Sequence, residues 1–102
     1  MYVLTRRDLS PAQQLVQAAH AVLEHARHIP PTAEHPHLVV AGVDGLPDLC
    51  RAADRLRERG VPFVDFREPD INDEPTAIAA GPVRGRDRAY FRRYRLLNPQ
   101  GA

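Results

Sequence analysis

Short runs of β-prone residues alternate along this chain with segments whose apolar residues recur at helical spacing. Four runs have the length of strands: 2–5, 38–42, 61–66 and 76–80. Helical spacing covers 11–27 and 46–59, and a last helix is expected within 86–97, alone or followed by a short strand. Strands that alternate with helices form sheets with parallel pairs and helices on both faces. We therefore predict one α/β domain over residues 1–102, with a four-stranded mixed sheet and the order β-α-β-α-β-β-α.

Residues that begin and end helices support these boundaries. Ser10 and Pro11 are typical of an N-cap and a first helical position, and Gly60 is typical of the position after a helix. The connection 68–75 is short, which favours an antiparallel pair for the third and fourth strands. The apolar run 38–42 is typical of a central strand that is covered on both faces.

The first predicted helix carries two stripes of residues. An apolar stripe should pack on the sheet: Leu15, Val16, Ala19, Val22, Leu23 and Ala26. A polar stripe spans roughly 60° of the helix surface, and its members are Gln13, Gln17, His20 and Glu24. This polar stripe either faces water or belongs to a site, because glutamine amides beside an imidazole can hold a carbonyl group and a water molecule together.

Several classes of site have no counterpart in these 102 residues. Ser10 is the only serine and has no Gly-x-Ser-x-Gly context, and neither a Walker loop nor a Gly-x-Gly-x-x-Gly sequence occurs. Cys50 is the only cysteine, which excludes a disulfide or a cysteine-based zinc cluster within them. Because Cys50 falls on the apolar side of the second predicted helix, we expect a buried and inert thiol.

The five histidines do not form a recognised metal-binding pattern. His35 and His37 belong to a proline-rich loop that begins at His28. Two others lie on the first predicted helix: His20 and His25. No His-Glu-x-x-His sequence is present, so we predict no metal site.

Charge is distributed unevenly, and every basic residue other than histidine is an arginine. The segment 65–74 carries five acidic residues against one arginine, whereas 84–95 carries six arginines against one aspartate. Arginine binds phosphate through paired hydrogen bonds, so the second segment could hold nucleic acid; an ordinary soluble surface is the alternative. Since no apolar run approaches the roughly 20 residues of a membrane span and no signal-peptide pattern is present, we expect a cytoplasmic protein that does not contact a membrane.

Two carboxylates and a hydroxyl group lie close together in the sequence at the junction of the third and fourth strands. Glu68 and Asp70 follow the third strand, and Thr76 begins the fourth. The group is either a polar turn, in which a side chain binds its own backbone, or a second candidate site.

Three short motifs occur in order along the chain. They are Arg6-Arg7-Asp8-Leu9, Gln17-Ala18-Ala19-His20-Ala21 and the segment 76–82, which reads Thr-x-x-x-x-Gly-Pro. A strand precedes the first motif, and the third motif contains the last strand. In this order the three motifs resemble the peptidyl-tRNA hydrolase 2 family. The resemblance extends over 2–97 and implies the fold of that family.

The chain also departs from the family pattern. Gln13 stands where the family has a lysine, and Ala12 replaces the glycine before it. The family's acidic residue before the last strand would correspond to Glu68, with a shorter connection to Thr76. The sequence Glu-Pro-Asp at 68–70 is similar to a bacterial sub-branch. The missing lysine implies weak activity.

The resemblance implies hydrolysis of the ester that joins a peptide to the 3′ end of tRNA, without a metal or cofactor, by a homodimer. The implied active-site residues are Gln13, Gln17, His20, Glu68, Asp70 and Thr76. A carboxylate or His20 would activate water, while Gln17 and Thr76 would stabilise the oxyanion. The arginines implied to hold the tRNA backbone are Arg6, Arg7, Arg86, Arg88, Arg92 and Arg93.

Two other functions stay open. The protein could be a non-catalytic member of the family that binds tRNA, a peptide or a protein, and the missing lysine favours this alternative. The fold could also serve a different reaction in a biosynthetic pathway. We favour a hydrolase, because a polar cluster from two distant segments is more than binding through a basic tail requires.

Overall fold

A computed structural model describes residues 1–30 and 37–97 of the chain. Its strands are β1 Tyr2–Arg6, β2 Val39–Val43, β3 Phe63–Glu68 and β4 Glu74–Ala80. Its helices are α1 Pro11–His28, α2 Leu46–Arg59 and α3 Arg86–Tyr90, with 3-10 turns at Pro69–Ile71 and Phe91–Arg93. Within these ranges no helix is both long and apolar enough to cross a membrane. His35 and most of the predicted loop lie outside the described residues.

The four strands form one mixed sheet in the order β2-β1-β4-β3. β1 and β2 are parallel and are joined through α1, whereas β4 is antiparallel to both β1 and β3. Leu4 lies in the middle of the sheet, opposite Ala41 on β2 and Ile78 on β4. The predicted α/β fold with a four-stranded mixed sheet is confirmed, and so is the antiparallel β3–β4 pair.

β2 is not the central strand that its apolar sequence predicts. It lies at one end of the sheet, and the chain after α3 covers its free edge. The Gly42 N–H donates to the Arg95 carbonyl oxygen, and the Leu97 N–H donates to the Val40 carbonyl oxygen, both at 3.0 Å. A Cβ at position 42 would lie 2.5 Å from Arg7 Nε, so any other residue there would displace the Arg7 side chain. This cover pairs backbone groups that an edge strand would otherwise expose.

Side chains that alternate along the strands divide the core into two layers. The layer beneath α2 and α3 holds the larger residues, including Leu4, Leu49, Leu56, Ile78, Tyr90 and Phe91. The layer beneath α1 holds mostly small ones: Val3, Ala18, Ala21, Ala77 and Ala79. Small side chains on both surfaces let α1 lie close to the sheet.

A capping box fixes the start of α1. Ser10 Oγ accepts the Gln13 backbone N–H at 3.2 Å, and Gln13 Oε1 accepts the Ser10 backbone N–H at 3.1 Å. Pro11 occupies the first helical turn, as predicted. An N-cap of this kind stabilises a helix by about 1 kcal/mol. The Gln13 side chain is therefore engaged in holding the helix start.

The predicted packing face of α1 is wrong. Five members of the predicted apolar stripe are exposed: Leu15, Val16, Ala19, Leu23 and Ala26. Val22 alone packs partly against the core. The buried face instead consists of Gln17, Ala18, Ala21 and His25.

Two hydrogen-bonded polar side chains account for this orientation. Gln17 bonds to Thr76 and Glu68. His25 Nε2 lies 3.0 Å from the Gly81 carbonyl oxygen and, since a carbonyl only accepts, donates to it. A polar group is buried at least cost when its hydrogen bonds are made, and of these two side chains only the His25 Nδ1 atom lacks a partner among the described residues. Two anchored polar residues among alanines therefore face the sheet in place of the larger apolar stripe.

Cys50 is exposed, so the predicted buried thiol is also wrong. The buried positions of α2 are Leu49, Ala52, Ala53 and Leu56. Cys50 follows Leu49 by one residue, which is about 100° around the helix and takes its side chain off the buried face.

The packing face of α1 can be tested with the same substitution at two neighbouring alanines. Ala21 is completely buried and Ala19 is exposed. Ala21→Asp should lower the free energy of unfolding by at least about 3 kcal/mol, because it buries an unpaired charge. Ala19→Asp should lower it by under about 1 kcal/mol, chiefly through helix propensity. Urea unfolding of both variants at low protein concentration measures the difference, and equal losses would contradict this orientation of α1.

Candidate active site

A β-bulge brings Thr76 to face α1. The β3–β4 register shifts between Phe66 and Arg67, so that Phe66 lies opposite Ala77 while Arg67 lies opposite Pro75. Thr76 is the extra residue between them. Strict alternation would put it on the same face as Ile78, beneath α2. The bulge re-aims its side chain, as bulges beside functional sites often do.

Thr76, Gln17 and Glu68 form a chain of hydrogen bonds. Thr76 Oγ1 lies 2.7 Å from Gln17 Oε1, and Gln17 Nε2 lies 2.9 Å from Glu68 Oε2. A carboxylate can only accept, so the Gln17 amide nitrogen must face Glu68. The amide oxygen then faces Thr76, whose hydroxyl donates. One buried amide therefore fixes both of its neighbours.

Exposure increases along this chain of hydrogen bonds. Thr76 is completely buried, Gln17 is 4% exposed and Glu68 is half-buried. The Thr76 hydroxyl is thus out of reach of a ligand and acts by positioning Gln17. Glu68 is the group through which the cluster meets solvent.

The Glu68 carboxylate is held in its ionised form. The Gln17 amide, the Asp70 backbone N–H at 3.3 Å and the positive charge that His20 can carry all lower the pKa of Glu68, the first of these most strongly. Because the pKa is lower in the folded protein than in the unfolded chain, these interactions stabilise the fold above the unfolded pKa. Their contribution is lost as the pH falls through the folded pKa.

His20 lies beside this carboxylate. Its imidazole stacks on the Phe66 ring, with centroids 4.6 Å apart and planes 8° from parallel, and it is exposed to solvent. Phe66 precedes Glu68 by two residues on β3. The contact with Phe66 therefore places the exposed imidazole of His20 on the solvent side of the Gln17–Glu68 pair.

Two other predicted site residues are placed differently. Gln13 lies one helical turn before Gln17, but its side chain closes the capping box with Ser10. Asp70 contributes its backbone N–H to Glu68, while its residue is exposed in the 3-10 turn. The structure thus brings together Gln17, His20, Glu68 and Thr76, and not the side chains of Gln13 or Asp70.

Arg6 is engaged inside the protein. Its guanidinium donates to both carboxylate oxygens of Asp8, at 2.9 and 2.7 Å, and to Glu74 Oε2 at 2.8 Å. The hydrogen bond to Asp8 raises the pKa of this guanidinium most, and the Glu74 carboxylate raises it further. Arg6 is 6% exposed, so it is not placed to contact an RNA phosphate.

Four of the remaining predicted arginines fall into two groups at opposite ends of β1, and the fifth, Arg92, is exposed in the 3-10 turn between them in the chain. Arg88 acts electrostatically on the Met1 amino group, at the start of β1, and Arg86 belongs to the same short helix. Arg7 follows β1 at its other end, the end on which Thr76 lies. Arg93 lines a pocket with Arg7, so the chain returns to that end after α3. The arginine-rich segment is therefore not one continuous surface.

The fold and the cluster define an α/β protein with an ionised carboxylate and an imidazole at one end of its sheet. Comparison of the chain with protein-family models finds no match, and a search of curated proteins finds none either.

The link between Gln17 and Glu68 can be tested through the titration of the carboxyl group. Gln17→Leu keeps the side-chain volume but removes the amide that lowers the pKa of Glu68, so this pKa should rise toward its ordinary value. Gln14→Leu is the matched control, because Gln14 donates to the Leu9 carbonyl oxygen instead. Carboxyl ¹³C NMR across the acid range measures both, and an unchanged Glu68 titration in Gln17→Leu would contradict the assigned bond.

Proposed function

We propose that the protein hydrolyses the ester between a peptide and the 3′ end of tRNA, slowly in its present form. The observation that carries this proposal is the ionised Glu68 carboxylate, fixed by Gln17 and flanked by the exposed imidazole of His20. These groups come from the two segments that resemble the peptidyl-tRNA hydrolase 2 family. The substrate would be met in the cytoplasm, where tRNA is found.

The cluster suits activation of a water molecule. A carboxylate with a lowered pKa is a weak base but a good hydrogen-bond acceptor, whereas imidazole is the side chain used most often as a general base. We assign proton removal from water to His20 and orientation of that water to Glu68. The water oxygen attacks the ester carbonyl carbon, the bond to the 3′ oxygen breaks, and that oxygen takes up the proton. Gln17 and Thr76 position Glu68.

Gln13 carries no charge, and this explains the slow rate that we propose. In the family that the chain resembles, a lysine stands at the position of Gln13. Removing one donor to a transition-state oxyanion lowers a rate by about 10²- to 10³-fold. A non-catalytic RNA-binding protein is the second candidate, and the engagement of Gln13 in the capping box favours it.

Restoring a charge at position 13 tests catalysis. Wild type should hydrolyse a peptidyl-tRNA substrate slowly, and Gln13→Lys should raise turnover by about 10-fold or more, since a charge-assisted hydrogen bond is stronger than a neutral one. Adding either Glu68→Gln or His20→Gln should remove at least about 10²-fold of that activity. Release of free tRNA in single-turnover reactions measures each rate.

Asp70→Asn is the control for these variants, because it alters an exposed carboxylate outside the hydrogen-bonded cluster, keeps the backbone N–H that donates to Glu68, and should leave turnover within a few-fold. Fast hydrolysis by wild type would show that another group replaces the lysine. No hydrolysis by either wild type or Gln13→Lys, with both folded, would favour the non-catalytic RNA-binding protein.

We also infer that two copies of the chain associate through the outer face of α1. The exposed stripe of this helix places alanines at seven-residue intervals between larger residues: Ala12, Leu15, Val16, Ala19, Leu23 and Ala26. Two such stripes in antiparallel contact can put the alanines of one copy against the leucines of the other, as a two-fold interface requires. A single-helix stripe is smaller than the roughly 1,200 Å² of a standard interface, so the dimer should be weak.

Matched leucine substitutions test this association. Leu23 is 52% exposed on the stripe, and Leu38 is 54% exposed away from it. Leu23→Gln should shift the monomer–dimer equilibrium at least about 10-fold toward monomer, because it removes apolar contact area, whereas Leu38→Gln should not. Sedimentation velocity over a concentration series measures the shift, and a wild-type protein that stays monomeric at millimolar concentration would contradict the inference.

A further inference from the structure

A second polar site lies at the carboxyl ends of the parallel strands β1 and β2. A pocket of about 420 Å³ opens there, next to the first turn of α2. Three arginines line it: Arg7, Arg93 and Arg95. Two aspartates share the pocket, Asp44 directly after β2 and Asp48 in the first turn of α2. Ligands of open α/β sheets commonly bind at the carboxyl ends of strands.

Neutral groups hold two of these arginines in place. Arg7 Nη2 donates to the carbonyl oxygens of Arg95 and Leu96, at 2.8 and 3.1 Å. The Arg93 guanidinium lies 4.2 Å from the centre of the Tyr90 ring, and its Nε donates to the Tyr90 carbonyl oxygen. Among residues 1–30 and 37–97, no carboxylate oxygen lies within 4.0 Å of the Arg7, Arg93 or Arg95 guanidinium. Their charges are therefore not neutralised by those residues, and an anion can bind them without breaking an ion pair.

The aspartates narrow the class of ligand. Asp48 pairs with Arg51, whereas no arginine or histidine nitrogen of the described residues lies within 4.0 Å of the Asp44 carboxylate. A free carboxylate repels phosphate but accepts hydrogen bonds from hydroxyl groups. A ligand that suits both kinds of residue carries a phosphate group, which binds the arginines, and a hydroxyl group, which donates a hydrogen bond to Asp44. The sugar-phosphate unit of RNA has both, and DNA lacks its 2′-hydroxyl.

We propose that this pocket binds the sugar-phosphate backbone of RNA near the end that carries the ester, an inference that rests on the proposed function. Arg7 directly follows β1, and the Thr76 bulge lies on the neighbouring strand at the same end of the sheet. Measured across the strands alone, which are about 4.8 Å apart, the pocket at β1–β2 and the cluster at β3–β4 are two strand spacings, or roughly 10 Å, from each other. An RNA held in the pocket can thus present its terminal ester to His20 and Glu68.

Two double variants with the same change in charge test the pocket. Arg93→Gln/Arg95→Gln removes two of its arginines, whereas Arg86→Gln/Arg88→Gln removes two on α3, toward the other end of β1. The probe is a fluorescent RNA stem with a single-stranded 3′ extension. The pocket pair should weaken binding at least about 10-fold at physiological salt and reduce the salt slope by about 1.4 to 1.8. The α3 pair should weaken binding less than about 3-fold, with thermal unfolding confirming that each variant is folded.

A 2′-deoxy version of the extension should bind wild type at least about 5-fold more weakly than RNA does, and Asp44→Asn should abolish that preference. Equal weakening by the two arginine pairs, equal binding of both extensions, or no binding by wild type at low salt would each overturn the pocket. Pocket-dependent binding without hydrolysis would support the pocket and reject the proposed catalysis. Hydrolysis whose KM is unaffected by Arg93→Gln/Arg95→Gln would support the catalysis and reject the pocket.

Discussion

The hydrogen-bonded amide of Gln17 determines how this protein is assembled. Through Thr76 it joins α1 to β4, and through Glu68 it joins α1 to the end of β3. The same bonds make it favourable to bury Gln17 among alanines, which leaves the larger apolar residues of α1 on the outside. The polar cluster around Gln17 and the exposed apolar stripe thus both follow from which face of α1 is buried. A helix turned to bury Leu15 and Leu23 would have neither.

The sequence predicted the elements of the fold better than the directions of its side chains. Local signals such as Ser10-Pro11 and Gly60 act within one turn, so they predicted the helix boundaries. The face of α1 depends on partners some 50 to 60 residues away, because Gln17 is anchored by Glu68 and Thr76. Periodicity reports only where apolar residues lie, and it cannot count hydrogen bonds that a distant strand will supply.

The same limit explains which site residues were predicted well. Motif order brought Gln17, His20, Glu68 and Thr76 into one hypothesis, and the structure places them together. Gln13 and Arg6 were assigned by position in a motif, but local chemistry engages them first, in a capping box and in ion pairs with Asp8 and Glu74. Arg95 was counted in the arginine-rich segment but not assigned to a site, because its place in a pocket depends on how the chain returns along β2.

The bulge at Thr76 makes the β3–β4 pairing less regular, but it also orders the candidate active site. A β3–β4 hairpin without the extra residue would pair regularly from Phe66 onward, and a regular ladder is the more stable arrangement for two strands. In that hairpin, however, the side chain at position 76 would no longer face α1, Gln17 would lose its donor, and Glu68 would be held less firmly. The ordered Glu68 carboxylate therefore requires the bulge. A variant selected for stability alone would tend to lose the bulge.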